Sequence, residues 1–211
     1  GLVPDHARRV RHSADRGGRR TLAVGAIVRD ISDRRQNEER LFRLASLDAL
    51  TELPNRAAWR EKLGKVMRAE KPATVMLLDL DGFKGVNDRH GHAAGDALLR
   101  AIAVRARSLS RGDDIVARIG GDEFVFVQTG LTHAREAGGL ARRLHAVLTE
   151  PCRIGGTEHR IGVSLGYEVA PAEAADLDTL SGLADHASYV AKRRGGGIVE
   201  AGADRGGHEK L

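Results

Sequence analysis

The feature that most constrains the fold is the alternation of short apolar runs with amphipathic segments from Asp48 onward. Residues 74–79 form an apolar run of strand length that ends in a carboxylate, which is typical of a buried strand. Residues 96–109 instead place their apolar side chains at helical spacing. Further strands are predicted at residues 115–119, 124–127 and 161–169, further helices at 132–148 and 177–194, and an edge strand at 198–199. The pattern predicts a mixed α/β (α+β) domain.

The charge distribution argues against a nucleic-acid-binding module. Residues 1–40 contain ten arginines and six acidic residues, whereas residues 41–211 contain 24 basic and 23 acidic residues. A nucleic-acid-binding domain concentrates positive charge on its folded surface, and here the excess lies on the N-terminal segment. No apolar stretch approaches the roughly 20 residues of a membrane-spanning helix. We therefore expect no nucleic-acid partner and no direct membrane insertion in this chain.

The N-terminal segment has a pattern of its own. Residues 21–28 form a β-like run, and Asp33 followed by Gln36 has the spacing of a helix capping box. The stretch VRDISDRR at residues 28–35 resembles the C-terminal end of a PAS sensor domain. We therefore expect three segments around the main domain: a PAS-like remnant at residues 1–32, a linker helix at 33–46, and a flexible tail or linker at 202–211.

Two sets of acidic residues are candidates for a metal site. Asp79 and Asp81 end the first strand of the domain, and Asp122 and Glu123 follow a Gly-Gly pair at residues 120–121. The two glycines predict a tight two-residue hairpin with positive φ angles, which would also let a phosphate approach the backbone. If the strands are neighbours, Asp79 and Asp122 face one another, and converging carboxylates suit Mg²⁺. Acids at strand ends also commonly face solvent or cap helices, so spacing alone leaves both interpretations open.

Four ordered blocks resemble the GGDEF family of diguanylate cyclases. The signature is RIGGDEF at residues 118–124. DALTELPNR at 48–56 and DLDGFKGVNDRHGHAAGD at 79–96 precede it, and ADHASYVAK at 184–192 follows it. Because four blocks in the family's order are far more specific than one motif, the chain is identified as a member, with its GGDEF domain expected at residues 47–201.

The resemblance implies a fold and an activity. The fold is a palm-like domain similar to adenylyl cyclases and polymerases, with a central, mainly antiparallel sheet flanked by helices. The activity is the condensation of two GTP molecules into cyclic di-GMP with release of two pyrophosphates. Each domain would bind one GTP, and two domains would face one another in a homodimer so that each 3′-hydroxyl attacks the other GTP. The product is also expected to act as an inhibitor.

The resemblance also assigns metal-binding and catalytic positions. Asp79 through its carboxylate and Leu80 through its backbone carbonyl would bind Mg²⁺ or Mn²⁺, two ions per active site, together with Asp122 and Glu123. Either Asp122 or Glu123 would help to deprotonate the attacking hydroxyl. Adjacent carboxylates that share metals titrate together, so the sequence does not divide this role between them.

Substrate-binding positions follow in the same way. Asn87 and Asp96 would hydrogen-bond the guanine edge, and a site built on such bonds rejects adenine because its polar groups are then unpaired. His92 matches another substrate contact, although a histidine after Gly91 is by itself typical of a turn. The remaining positions would contact phosphate: the side chains of Lys84 and Lys192 and the backbone near Phe83 and Gly121.

One position departs from the family pattern. The family places an arginine four residues after the lysine of the last helix, and this chain has Gly196 there. A phosphate contact is therefore either lost or supplied by Arg193 or Arg194. We expect weaker GTP binding with the activity retained, because the metal ligands are complete.

The sequence RGDD ahead of the signature is a candidate inhibitory site. Arg111 and Asp114 resemble the family's product-inhibition motif, in which Arg offers paired donors and Asp accepts from guanine. The alternative is a surface turn, for which these residue types are ordinary. Arg118, and Arg142 or Arg143 on the following helix, are expected to complete the site.

The main alternative to a cyclase is a regulatory module. Such a domain would bind GTP or cyclic di-GMP without turnover and control a neighbouring domain, for example an EAL-type phosphodiesterase. It ranks second because every signature acid is present. A cyclase for another nucleotide, or a polymerase-like enzyme, is disfavoured by Asn87 and Asp96. With Cys152 as the single cysteine, we expect a reducing, cytoplasmic location, either free or as part of a membrane-attached signalling protein.

Overall fold

The structure is a computed structural model, and it describes residues 45–130, 133–170 and 176–201. The predicted PAS-like remnant at 1–32, nearly all of the linker helix at 33–46 and the tail at 202–211 lie outside these residues. The secondary structure predicted from residue 74 onward falls almost entirely within them.

The described residues form five helices and seven strands in mixed order. The first half runs α1 (Arg56–Arg68), β1 (Ala73–Asp81), α2 (Phe83–His90), α3 (His92–Ser108), β2 (Ile115–Arg118) and β3 (Glu123–Thr129). The second half runs α4 (Ala134–Leu148), β4 (Cys152–Ile154), β5 (Thr157–His159), β6 (Gly162–Ala170), α5 (Leu177–Arg193) and β7 (Gly197–Glu200). Strands β4 and β5 form a separate two-stranded hairpin.

The main sheet has five strands in the order β2-β3-β1-β6-β7. The pairs β2–β3, β3–β1 and β1–β6 are antiparallel, and only the edge strand β7 runs parallel to its neighbour β6. This confirms the predicted mixed fold with a mainly antiparallel central sheet. The strand predicted at residues 198–199 is confirmed as the edge strand β7.

Strand β1 is buried on both faces, which explains its continuous apolar sequence. Met76, Leu78 and Leu80 pack with the side chains of α3 and α4. Val75 and Leu77 pack on the other face with α1 and α5, among them Trp59 and Leu180. Because side chains alternate along a strand, Asp79 continues the second face and points to the side of α1 and α5.

Side-chain caps define the starts of helices α1 and α5. The Asn55 side chain accepts a hydrogen bond from Ala58 N (3.0 Å) at the start of α1. The Asp176 side chain accepts from Asp178 N and Thr179 N (both 2.9 Å) at the start of α5. Such caps satisfy amide donors that have no partner inside the helix. They define where α1 and α5 begin.

Two helices and one hairpin were absent from the prediction. Helix α1 and the β4–β5 hairpin were not predicted, and the helix predicted at 96–109 begins earlier, at His92. Helix α2 has eight residues, none of them fully buried, and only Phe83 and Val86 pack partly against the core, so its apolar stripe is short. Gly91, with φ of 81°, separates α2 from α3.

Tyr167 links the edge strand to the rest of the sheet. Its buried hydroxyl donates to Glu200 Oε2 on β7 (2.9 Å). Burial, reinforced by the Glu200 carboxylate, raises the pKa of Tyr167 to about 12. A tyrosine whose folded-state pKa lies above its usual value of about 10 stabilises the fold below that pH and loses this contribution as the pH rises through its folded-state pKa.

We therefore expect Tyr167→Phe to lower the free energy of unfolding by about 1 kcal/mol at neutral pH, because a buried hydrogen bond is lost. We also expect the parent to lose more stability than the variant between pH 10 and pH 12. Urea unfolding at several pH values measures both effects. Parallel pH profiles for the two proteins would contradict this role of Tyr167.

Candidate active site

The carboxylates predicted to bind metal meet at the end of the central sheet. Asp79 on β1 is the direct cross-strand partner of Glu123 on β3, so both side chains lie on the same face. Asp122 precedes β3, and its carbonyl accepts from Leu80 N (3.3 Å). The two strands are indeed neighbours, but Glu123 rather than Asp122 lies directly opposite Asp79.

The carboxylates of Asp79 and Glu123 are each paired with a cation from a flanking helix. Lys192 Nζ on α5 donates to Asp79 Oδ1 (2.7 Å). The hydrogen bond to Asp79 raises the pKa of Lys192, and Asp122 and Asp81 add to the effect. Arg56 NH2 on α1 lies 3.6 Å from Glu123 Oε2. The site therefore contains both signs of charge: the carboxylates lie at the strand ends and the cations lie on the helices.

The donor set fits a divalent cation. Carboxylate oxygens from Asp79, Asp122 and Glu123 are the ligands that Mg²⁺ prefers, and Lys192 and Arg56 already neutralise two of them. Among the described residues no three acidic, histidine or cysteine side chains converge closely enough to enclose an ion. The Lys192 and Arg56 cations therefore compete with an ion for the Asp79 and Glu123 carboxylates.

The turn before Glu123 differs from the predicted two-residue hairpin. Ile119 N donates to Glu123 O (3.0 Å), which leaves three residues, 120–122, outside the ladder. Gly120 and Gly121 are not among the glycines with positive φ, so the prediction of a tight turn with positive φ angles is wrong. The glycine at 120 matters for space, since a Cβ there would lie 2.3 Å from Glu123 Oε2.

Arg118 holds this turn in place. Its NH1 group bonds both carboxylate oxygens of Asp48 (3.0 and 3.1 Å), and its Nε and NH2 groups bond the Gly121 carbonyl (3.1 and 2.7 Å). The Arg118 side chain is only 13% exposed. Arg118 was expected to complete the inhibitory site; here its guanidinium bonds Asp48 and Gly121, and its role in that site stays a prediction.

Asp48 is held in its ionised form by the clamp. Burial acts to raise the pKa of Asp48, but hydrogen bonds from Thr51 and Arg118 outweigh it and lower the pKa overall. This contribution to stability is present above the usual pKa of an aspartate and is lost as the pH falls through the lowered value.

We expect Asp48→Asn to destabilise the domain by about 1–2 kcal/mol, because Arg118 loses a charged, partly buried partner. The loss should shrink in acid, where the parent also loses the charge of Asp48. Urea unfolding of both proteins at pH 7 and pH 3 checks this. An equal difference at both pH values would show that the charge of Asp48 is not the cause.

The residues predicted to bind guanine meet where α2 packs on α3. A Cβ on Gly95 would lie 2.0 Å from Asn87 Oδ1 and 3.2 Å from Phe83 Cζ. The absence of a side chain at Gly95 therefore lets Asn87 lie against α3, one residue before Asp96. Asn87 and Asp96 are both partly exposed, so their polar groups remain accessible to a ligand.

The other predicted substrate residues lie around this junction or at the turn. His92 is the first residue of α3, rather than a turn residue, and it is exposed. Lys84 is exposed on the first turn of α2, and Phe83 packs partly against the core. Gly121 is exposed at the turn before β3.

The segment with Gly196 is built from left-handed backbone. Residues 195–197 have φ angles of 93°, 102° and 100°, which glycine adopts readily. A Cβ on Gly196 would lie 2.9 Å from Asp81 Oδ2, and Ser164 Oγ donates to Asp81 Oδ1 (2.7 Å). Arg193 and Arg194, the candidates for replacing the missing phosphate contact, are exposed.

The predicted inhibitory residues lie at two different edges. Arg111 and Asp114 form the loop before the edge strand β2, where Asp114 accepts from Arg111 N (2.8 Å) and Thr129 N (3.4 Å). Arg142 and Arg143 are exposed on α4, which packs on β6 and β7 at the other side of the sheet. One domain therefore does not bring the two pairs together.

A cavity of about 800 Å³ opens between α1, α5 and the ends of β1 and β3. Asp79, Glu123 and Lys192 line it. The prediction missed its other polar walls: Arg56, Arg60, Asp185, His186 and Tyr189. Arg56 belongs to the motif at 48–56, and Asp185, His186 and Tyr189 belong to the motif at 184–192, which was the available signal. Nothing in the sequence shows that α1 and α5 lie side by side.

None of the helices in the described part of the chain is long and apolar enough to cross a bilayer.

Known proteins resemble this chain in both sequence and structure. The profile described as "Diguanylate cyclase, GGDEF domain" matches residues 45–197. The bifunctional diguanylate cyclase/cyclic di-GMP phosphodiesterase MucR of Pseudomonas aeruginosa is 40% identical over 168 residues, which cover 76% of this chain and 24% of MucR. The diguanylate cyclase TpbB of the same species is 37% identical over 155 residues, 71% of this chain and 36% of TpbB.

A solved structure supports the same relationship. The GGDEF domain of TpbB (YfiN) superposes with a TM-score of 0.69 at 36% identity, covering 75% of this chain and 97% of that one. The chain spans about a quarter of the length of the first curated relatives it matches. The similarity thus concerns one domain of longer proteins.

Proposed function

Because this chain belongs to the GGDEF family, a family of cyclic di-GMP signalling, we propose that it is a diguanylate cyclase that condenses two GTP molecules into cyclic di-GMP and two pyrophosphates. The observation that most supports the proposal is the pairing of Asp79 and Glu123 across neighbouring strands. These carboxylates lie at the strand ends, where a substrate can reach them, and Asp122 lies beside them.

Guanine selection is proposed for Asn87 and Asp96. The close packing at Gly95 places Asn87 against α3 beside Asp96. The Asp96 carboxylate accepts from the guanine N1–H and 2-amino groups, which adenine does not offer. ATP would leave a polar group unpaired, and such sites discriminate strongly. His92 on the same helix is proposed to contact the nucleotide as well.

Mg²⁺ or Mn²⁺, two ions per site, would be held by Asp79, Asp122, Glu123 and the Leu80 carbonyl, and would stabilise negative charge on the reacting phosphate. The protein's own side chains would bind the phosphates and accept the proton. Lys192 leaves Asp79 and turns to the triphosphate, where Lys84 adds a second positive charge. Asp122 or Glu123 accepts the proton of the attacking 3′-hydroxyl.

Two copies are required for the complete reaction. Each domain orients one GTP, and the 3′-hydroxyl of each attacks the α-phosphate of the other, with pyrophosphate leaving. Arg111 and Asp114 are proposed to bind the product as an inhibitor. Since Arg142 and Arg143 lie at the other side of the sheet, they would complete that inhibitory site from a second copy. GTP as substrate implies a cytoplasmic location.

A regulatory module is the second candidate, and Gly196 favours it. Without an arginine at this position, triphosphate binding has one positive charge fewer than the family pattern. In this case the domain would hold GTP or cyclic di-GMP and control a neighbouring domain. The name of the relative MucR combines a diguanylate cyclase with a cyclic di-GMP phosphodiesterase, which supports a phosphodiesterase as the neighbouring domain in this second candidate.

Concentration dependence tests the proposal. We expect the specific activity, measured as cyclic di-GMP formed from GTP and Mg²⁺, to rise with protein concentration, because two copies form the active site. GTP binding without any product would favour the regulatory module. The measurement covers a hundredfold range of protein concentrations below the dissociation constant of the dimer. A specific activity that stays constant over this range would contradict the two-copy mechanism.

A further inference from the structure

We propose that the β4–β5 hairpin positions the guanine-binding part of α2 through a contact between the rings of His159 and His90. The two ring centroids lie 4.6 Å apart and the ring planes cross at 87°, which is an edge-to-face arrangement. The inference rests on the proposed function, because it makes both histidines positioning residues for Asn87. Neither histidine is assigned a contact with the nucleotide.

Helix α2 depends on such support because little of it is buried. None of its eight residues is fully buried, and only Phe83 and Val86 pack partly against the core. Both of these residues lie in the first half of the helix, whereas Asn87 lies in the second half. A segment with few buried contacts opens locally at low cost. The second half of α2 is therefore held by the contacts at its end.

His90 is the last residue of α2 and lies close to Asn87 on the helix. Residues three apart on a helix are neighbours on its surface, and Gly91 N donates to Asn87 O (2.8 Å) at the same end. On its other side, Asn87 lies against Gly95 of α3. A contact that holds the ring of His90 therefore also restrains the backbone at Asn87.

The hairpin is a firm support for this contact. Cys152 on β4 and His159 on β5 are direct cross-strand partners, and they are 4% and 7% exposed. Just before β4, the Arg105 guanidinium on α3 donates to the carbonyls of Glu150 and Pro151, the second at 2.7 Å. The hairpin is separate from the main sheet, and the contact through His159 gives it a role in substrate binding.

Loss of the ring contact should weaken nucleotide binding without slowing the chemical step. Fewer molecules would then hold Asn87 in position for guanine, and the apparent affinity falls by that fraction. The Asp79 and Glu123 carboxylates lie at the ends of β1 and β3, away from α2, so turnover of bound GTP continues. An aromatic pair of this geometry accounts for a change in affinity of about three- to tenfold.

The test is calorimetric titration of the full chain with 3′-deoxy-GTP and Mg²⁺. This nucleotide lacks the attacking hydroxyl, so binding is measured without turnover. We expect His90→Ala and His159→Ala each to weaken binding about fivefold, and the double variant to lose no more, because both changes remove one contact. His159→Phe keeps an edge-to-face ring and should bind like the parent. His133→Ala, which changes an exposed histidine just before α4, is the matched control.

Turnover kinetics separate positioning from folding. Both alanine variants should raise the KM for GTP about fivefold and leave kcat unchanged, whereas partial unfolding would lower kcat. Because His90 is exposed, His90→Ala tests the contact without creating a buried cavity. Parent-like affinity in His90→Ala, independent losses that multiply in the double variant, or an equal loss in His133→Ala would overturn the inference.

Cyclic di-GMP formation by the parent is measured in parallel. A parent that makes product while its nucleotide affinity is independent of His90 and His159 refutes the positioning role alone. A parent that makes no product while both histidines control nucleotide affinity refutes the cyclase proposal and supports the positioning role.

Discussion

Replacing Asp79 by asparagine is expected to reduce the rate of cyclic di-GMP formation by about 100-fold or more. The Asp79 side chain is 19% exposed, faces Glu123 across the sheet and forms the ion pair with Lys192. An amide is a much weaker ligand for a divalent ion and does not neutralise its charge. Losing several kcal/mol of charge stabilisation corresponds to a rate loss of this size.

The fold should tolerate this change. Asp79 lies near the end of β1, and the amide keeps the shape of the side chain. A thermal unfolding curve close to that of the parent would show that the lost rate is chemical. Asp88→Asn changes an exposed acid on α2 and should leave the rate unchanged. Parent-like turnover by Asp79→Asn would contradict the proposed metal-binding role.

Replacing Gly166 by alanine is expected to destabilise the domain by about 3 kcal/mol or more. Gly166 lies on β6, where α5 crosses the sheet. A Cβ there would lie 2.0 Å from Ser188 N and 2.3 Å from Ala184 O. These are backbone atoms of α5, so they cannot move aside as a flexible side chain would. Helix α5 would have to shift, together with Lys192.

Gly139→Ala is the matched control. Gly139 lies in α4, and a Cβ there would meet no atom within 4 Å. Alanine in a helix is favoured over glycine, so the free energy of unfolding of this variant should be higher than that of the parent by about 0.5–1 kcal/mol. Urea unfolding compares the three proteins. A Gly166→Ala variant as stable as the parent would show that α5 and β6 are not packed as closely as described.

The sequence predicted elements whose apolar pattern reflects burial. Strand β1 is buried on both faces and is therefore a continuous apolar run, and α5 has a clear apolar stripe with a capping residue, Asp176. Helix α2 has no fully buried residue and only two partly buried apolar side chains, Phe83 and Val86, so its apolar pattern is weak. The resemblance predicted that Asn87 and Asp96 bind the same base. The structure explains why the two residues lie close together: Gly95 has no side chain to separate Asn87 from α3.

The specific ion pairs between residues far apart in the sequence were not predicted. Lys192 and Asp79 are separated by 113 residues, and Arg118 and Asp48 by 70. Arg118 lies in the signature motif and its partner Asp48 in the motif at residues 48–56, so the sequence did not reveal that the two pair. The Gly120–Gly121 turn was predicted with positive φ because glycine permits it, whereas this turn is wider and is clamped by Arg118.

The most direct test of the central proposal is to incubate the parent and Asp122→Ala with GTP and Mg²⁺ and to identify the products by mass. We predict that the parent forms cyclic di-GMP together with two pyrophosphates for each product molecule, and that Asp122→Ala forms neither. A parent that binds GTP but forms no cyclic di-GMP, or an Asp122→Ala variant that forms it at the parent rate, would contradict the account.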